Sequence, residues 1–120
     1  MTTEDKTFIE NAAKAMGYEG EWCEVQQGFV YQVPNAGCYL VQLFNPLTSN
    51  ADCAEMEAQL EISVNWLPAK IRSFHQVDDT NYTVIRFDEV FYKTTDKAAA
   101  RRRASTRVAA EIAKRNATTV

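Results

Sequence analysis

The sequence predicts an α+β domain, an antiparallel-rich sheet of about four to six strands with three helices packed against it. Three observations predict it. Apolar residues recur at helical spacing near both ends of the chain and in one segment between. Two runs rich in β-branched and aromatic residues flank the turn-forming Pro34-Asn35-Ala36-Gly37. Alternation of apolar and polar side chains returns after residue 61. The 120 residues suit a single domain, 1–120, with its own core.

The elements follow in order. Over 4–16, Phe8, Ile9, Ala12, Ala13 and Met16 form one helical stripe. Thr2 or Thr3 can cap it, Glu4 and Asp5 suit its positive end, and Gly17 can stop it. A short strand is expected over 21–25 and a hairpin over 29–43, where Gly37 allows the positive φ of a tight turn. Asn45-Pro46 ends the second strand, because proline has no N–H for the ladder. Ser49 or Asn50 then caps a helix over 51–60, with Asp52 in its first turn. Strands are expected over 62–92: Ile62, Val64 and Trp66 alternate with polar residues, Pro68 interrupts, 69–77 resumes, and 78–81 turns into a long strand. There Ile85, Phe87 and Phe91 face one way, and Tyr82, Val84, Val90 and Tyr92 the other. Apolar groups on both faces predict a sheet covered, at least in part, on both sides. The last helix, 96–115, carries Ala100, Ala104, Val108 and Ile112 at i, i+4 spacing, with frayed residues after it.

Hydrophobic content of 46% and charged content of 24% are those of a globular protein. No apolar run is long enough to span a membrane. The acidic-polar start Met1-Thr2-Thr3-Glu4-Asp5 lacks the form of a signal peptide, so a cytoplasmic protein made in its mature form is expected. Cys23, Cys38 and Cys53 contain no C-x-x-C pair, which removes the usual support for a zinc or thioredoxin-like site and predicts reduced thiols. The net charge of −3 is unevenly spread. Residues 1–95 hold six basic and fourteen acidic side chains, a net of −8, while 96–120 hold seven and two, a net of +5. An acidic body thus carries a basic helix.

The run Asn45-Pro46-Leu47, Ala51-Asp52 at the following helix start, and the C-terminal Ala98-Ala99-Ala100-Arg101 and Arg107-Val108-Ala109-Ala110-Glu111-Ile112 resemble the phage "ABA sandwich" family of small phage and prophage proteins. Ala12-Ala13 and Met16-Gly17 fit its opening helix. Phe44 stands where the family pattern has Trp, and the stretch from Trp66 to Asp79 is longer. The resemblance implies an α/β/α-type sandwich and a phage origin, and no activity. Local physics reads Asn45-Pro46 to Asp52 as a strand stop, a turn and a helix cap.

No pattern of catalytic, cofactor-binding or metal-ligating residues emerges. His75 is the lone histidine, at a half-buried strand position. Asp78 and Asp79 fall in a turn without the oxygen spacing of a calcium loop. Glu55, Glu57 and Glu61 are expected to face water. The glycines are scattered and form no phosphate loop. What remains is surface recognition. Arg101, Arg102, Arg103 and Arg107 on the basic helix, with Trp22 and Trp66, are the candidate partner-binding residues, since Trp and Arg make strong anchors. The expected function is a non-enzymatic phage accessory protein that binds and modulates a host protein. The alternative is nucleic-acid binding through the same helix, whose arginines equally suit solvent or the acidic body. The basic helix set against the acidic edge of a second copy would give a homodimer. No cofactor is expected.

Overall fold

The computed structural model describes residues 1–77 and 84–118. The turn expected over 78–81, with Asp78 and Asp79, and the start of the following strand at Tyr82 lie outside the described residues. Helix α1 (Thr3–Ala15) is capped by Thr2, whose hydroxyl accepts the Asp5 N–H at 3.0 Å. Gly17 follows it with φ of +79°. Strands β1 (Gly20–Cys23), β2 (Gly28–Asn35) and β3 (Cys38–Phe44) form a first antiparallel sheet in that order. Helix α2 (Asn50–Gln59) follows, with Ser49 as its cap accepting the Asp52 N–H at 3.1 Å. Strands β4 (Ser63–Leu67), β5 (Lys70–Gln76) and β6 (Val84–Val90) form a second antiparallel sheet, again in chain order. A 3-10 turn (Thr94–Asp96) leads into α3 (Lys97–Thr118), which runs through the segment expected to fray at 116–118.

The expected single sheet is therefore two sheets of three strands. The physical reason lies in the helices. α1 packs on β1 and β2, α3 packs on β5 and β6, and α1 and α3 pack on each other. Each sheet thus buries one face against its own helix, and the helix pair joins the two. One core results, made of Ile9, Ala12, Ala13 and Met16 from α1, Phe29 and Phe44 from the first sheet, Cys53 and Met56 from α2, Ile85 from the second sheet, and Val108 and Ala109 from α3. Because α3 meets a helix and a sheet, its buried surface is wider than one stripe. Ala104, Ser105, Thr106, Val108, Ala109 and Ala110 are all buried.

The covered-on-both-sides expectation is also corrected. Val84 and Val90 on β6 are exposed, and so are Tyr39, Val41 and Leu43 on β3. Helices occupy one face of each sheet, and the opposite faces stand open. The β2–β3 turn is also tighter than expected. Asn35 pairs with Cys38, so Ala36 and Gly37 alone make the first turn, with φ of +48° and +87°. Positive φ at both central residues is the mirror-image form that matches strand twist. Pro34 sits inside β2, beyond the 28–31 stretch that β1 pairs, so its missing N–H costs no bond on that side. Gly20 lets β1 close on β2: a Cβ there would lie 1.9 Å from the Val30 carbonyl oxygen.

Candidate protein-binding surface

The basic helix is wired inward. Arg101 reaches Glu57 on α2 with two donors, and Glu57 also accepts the Ser105 hydroxyl at 2.5 Å. Ser105 in turn meets Ser73 of β5 at 2.9 Å. Glu57 is only 7% exposed, contrary to the expectation that it faces water. It lies on the side of α2 that carries Cys53 and Met56, and Arg101 and Ser105 compensate its charge there. Burial, with the Glu57 charge beside it, pushes the Cys53 thiol up to about 12. This cluster ties α2, α3 and β5 together, and its thiol is kept protonated.

Arg102 Nε donates to the Leu47 carbonyl at 2.8 Å and its Nη1 to Asn50 at 2.7 Å. That fastens α3 to the Asn45–Ser49 turn. Asn45 is the hub of this turn. Its Oδ1 accepts the Leu47 and Thr48 N–H groups, its Nδ2 donates to the Gln27 carbonyl at 2.6 Å, and its own N–H bonds Asp52 at 2.9 Å. The Asn45-Pro46 to Asp52 run is thus accounted for by strand stop, turn and cap. Arg103 bonds Asp5 at 2.6 Å and lies 3.4 Å from Glu89, while Arg107 bonds Glu89 at 2.7 Å. Burial alone would raise Asp5, but the hydrogen bond and charge of Arg103, with Thr2, outweigh it and hold the carboxyl below its usual range. Arg103 and Arg107 also cover the rings of Phe8 and Phe87. The four arginines hence bond to α1, α2, β6 and the Asn45–Ser49 turn rather than gathering on one outward patch.

The two tryptophans are not brought together. Trp22 lies half-buried on β1, its Nε1 donating to Glu24 at 2.8 Å. Trp66 is 50% exposed on β4, edge-on to Phe91 at 6.2 Å. His75 faces the Glu61 carbonyl at 3.4 Å. Among the described residues no three His, Cys, Asp or Glu side chains gather as a metal site, and no helix is long and apolar enough to cross a membrane.

The open surface lies elsewhere, on the β2–β3 hairpin. Not one charged residue occurs from Val25 to Ala51. That neutral stretch was legible, but its exposure was not. Register puts Phe29, Tyr31, Leu40 and Phe44 on the inner face, where Tyr31 stacks on Tyr18 at 3.9 Å, while Leu40, nearer the hairpin tip, stays 44% exposed. The outer face carries Val30, Tyr39, Val41 and Leu43, with Gln32 opposite Val41 and Glu21 of β1 opposite Val30. Tyr39 is 66%, Val41 65% and Leu43 42% exposed. A depression of about 390 Å³ adjoins them toward β1, lined by Val30 and Val41 with Gln32, Glu19 and Glu21. β3 is also a free edge: among the described residues only β2 pairs with it. It has seven residues, an unbroken register, no proline and no charge. Such an edge lacks the devices that normally block strand pairing. By contrast β6 carries Arg86, Asp88 and Glu89, and β1 is only four residues long.

Compared with protein families, characterised proteins and solved structures, the chain matches none.

Proposed function

We propose that this is a non-enzymatic, protein-binding accessory protein of phage or prophage origin, working in the host cytoplasm on a host protein such as a defence complex. The observation that carries the binding role is the exposed outer face of the β2–β3 hairpin, which holds no charged residue. Contiguous apolar surface of this kind costs solubility and is characteristic of protein–protein contact. Glu19 and Glu21 beside Val30 and Val41 suit a partner that presents an apolar side chain flanked by a basic one. The phage origin and the host target rest on the family resemblance of the sequence. The nucleic-acid alternative has little to draw on, because Arg101, Arg102, Arg103 and Arg107 are each bonded within the chain.

The test is an affinity pull-down of the tagged protein from host lysate, with and without nuclease, run beside a Val30→Glu variant. A stoichiometric protein partner that survives nuclease and is lost in the variant is expected. A partner set that vanishes with nuclease overturns the reading in favour of nucleic acid.

A further inference from the structure

We infer that the free edge of β3 is a homodimer seam, in which β3 of a second copy pairs antiparallel with it about a two-fold axis at Val41. This goes beyond the host-partner reading and does not depend on it.

Ladder geometry fixes which backbone groups are available. Pro34 has no N–H, so its pair with Tyr39 is one of the non-bonded pairs of the β2–β3 ladder. By alternation, Leu40 and Gln42 bond to β2, and Tyr39, Val41 and Leu43 turn their N–H and C=O groups to the open edge. A second β3, placed antiparallel with Val41 facing Val41, exchanges bonds at those positions alone. Tyr39 then meets Leu43 of the copy, and Leu43 meets its Tyr39. The same register that satisfies the backbone makes one apolar stripe across the outer face, with an aromatic–aliphatic pair at each end.

Charge selects the copy as the occupant. The chain is net −3, so two copies repel weakly overall. The 25–51 stretch is neutral, so two copies approach there without like charges meeting. A two-fold contact closes on itself and leaves no further edge at the seam. The outcome is a six-stranded sheet from two three-stranded ones, its outer face still open because side chains stand perpendicular to the sheet. The Val30–Val41 depressions of both copies would then share one platform.

The test uses the purified full chain alone, so a missing host partner cannot affect it. Sedimentation of the wild type is expected to show a dimer at micromolar concentration, and Val41→Lys a monomer with an unchanged far-ultraviolet spectrum. Amide hydrogen exchange on the wild type needs no variant and reads the register itself. In the dimer the N–H groups of Tyr39, Val41 and Leu43 are protected like those of Leu40 and Gln42, and dilution releases the former set only. A wild type that sediments as a monomer, an open-ended assembly, or fast exchange at Tyr39, Val41 and Leu43 in a dimeric sample each overturns the proposal.

Discussion

At the scale of single residues, burial decides which groups react. Cys53 is 1% exposed and its thiol is pushed up to about 12, so almost none is thiolate near neutral pH. Cys38 is exposed on β3. Iodoacetamide at about pH 8 is expected to label Cys38 in the native protein and Cys53 only after denaturant is added. Peptide mass spectrometry reads this, and labelling of both at one rate would contradict the buried cluster. Asp88 shows the opposite effect. Arg72 donates to it at 2.9 and 3.2 Å and Lys70 at 3.3 Å, and these bonds lower its carboxyl from 3.8 to about 2. A depressed carboxylate contributes stability that is whole above its unfolded value and is lost as pH falls through the folded one. Asp88→Asn is therefore expected to lower Tm at neutral pH and to flatten the decline between about pH 4 and pH 2. Parallel Tm curves for the two proteins over that range would show that the bonds contribute nothing, as many exposed pairs do not.

At the scale of elements, the turns carry the strain that the sequence hides. Pro68 was expected to interrupt a strand, and it is the first central residue of the β4–β5 turn, between Leu67 and Lys70. Ala69 then holds φ of +61°, a conformation that favours glycine. Ala69→Gly is expected to stabilise the protein by about 0.5–1 kcal/mol, since relief of the left-handed penalty exceeds the added chain entropy. A urea midpoint that falls would mean that Ala69 is not strained. The helices and the hairpin were legible because cap, periodicity and turn residues agree locally: Thr2, Ser49 and Gly37 sit where the rules place them. The division into two sheets was not legible, because it depends on where α3 lies rather than on any strand. The same holds for Glu57, whose burial needs Arg101 from 44 residues away. It also holds for the outer face of β3, since alternation says that a strand has two faces and not which of them a helix covers.

At the scale of the whole molecule, α3 makes two small sheets into one cooperative body. It packs on α1, which covers the first sheet, and directly on β5 and β6 of the second. Its arginines repeat those links in polar form, Arg103 to Asp5 and Arg107 to Glu89. Once α3 leaves, the second sheet loses its covering helix, and α1 loses the partner that buries its other side over the first sheet. The chain carries a reporter in each: Trp22 on β1 and Trp66 on β4. Variants Trp66→Phe and Trp22→Phe leave one reporter at a time. Their denaturation midpoints followed by fluorescence are expected to coincide with the loss of helical circular dichroism. Val108, fully buried in the shared core, gives the sharper form of the test. Val108→Ala is expected to cost about 2 kcal/mol and to lower both tryptophan transitions by the same amount. If α3 were only an appendage of the second sheet, the Trp66 transition would fall while the Trp22 transition stayed in place.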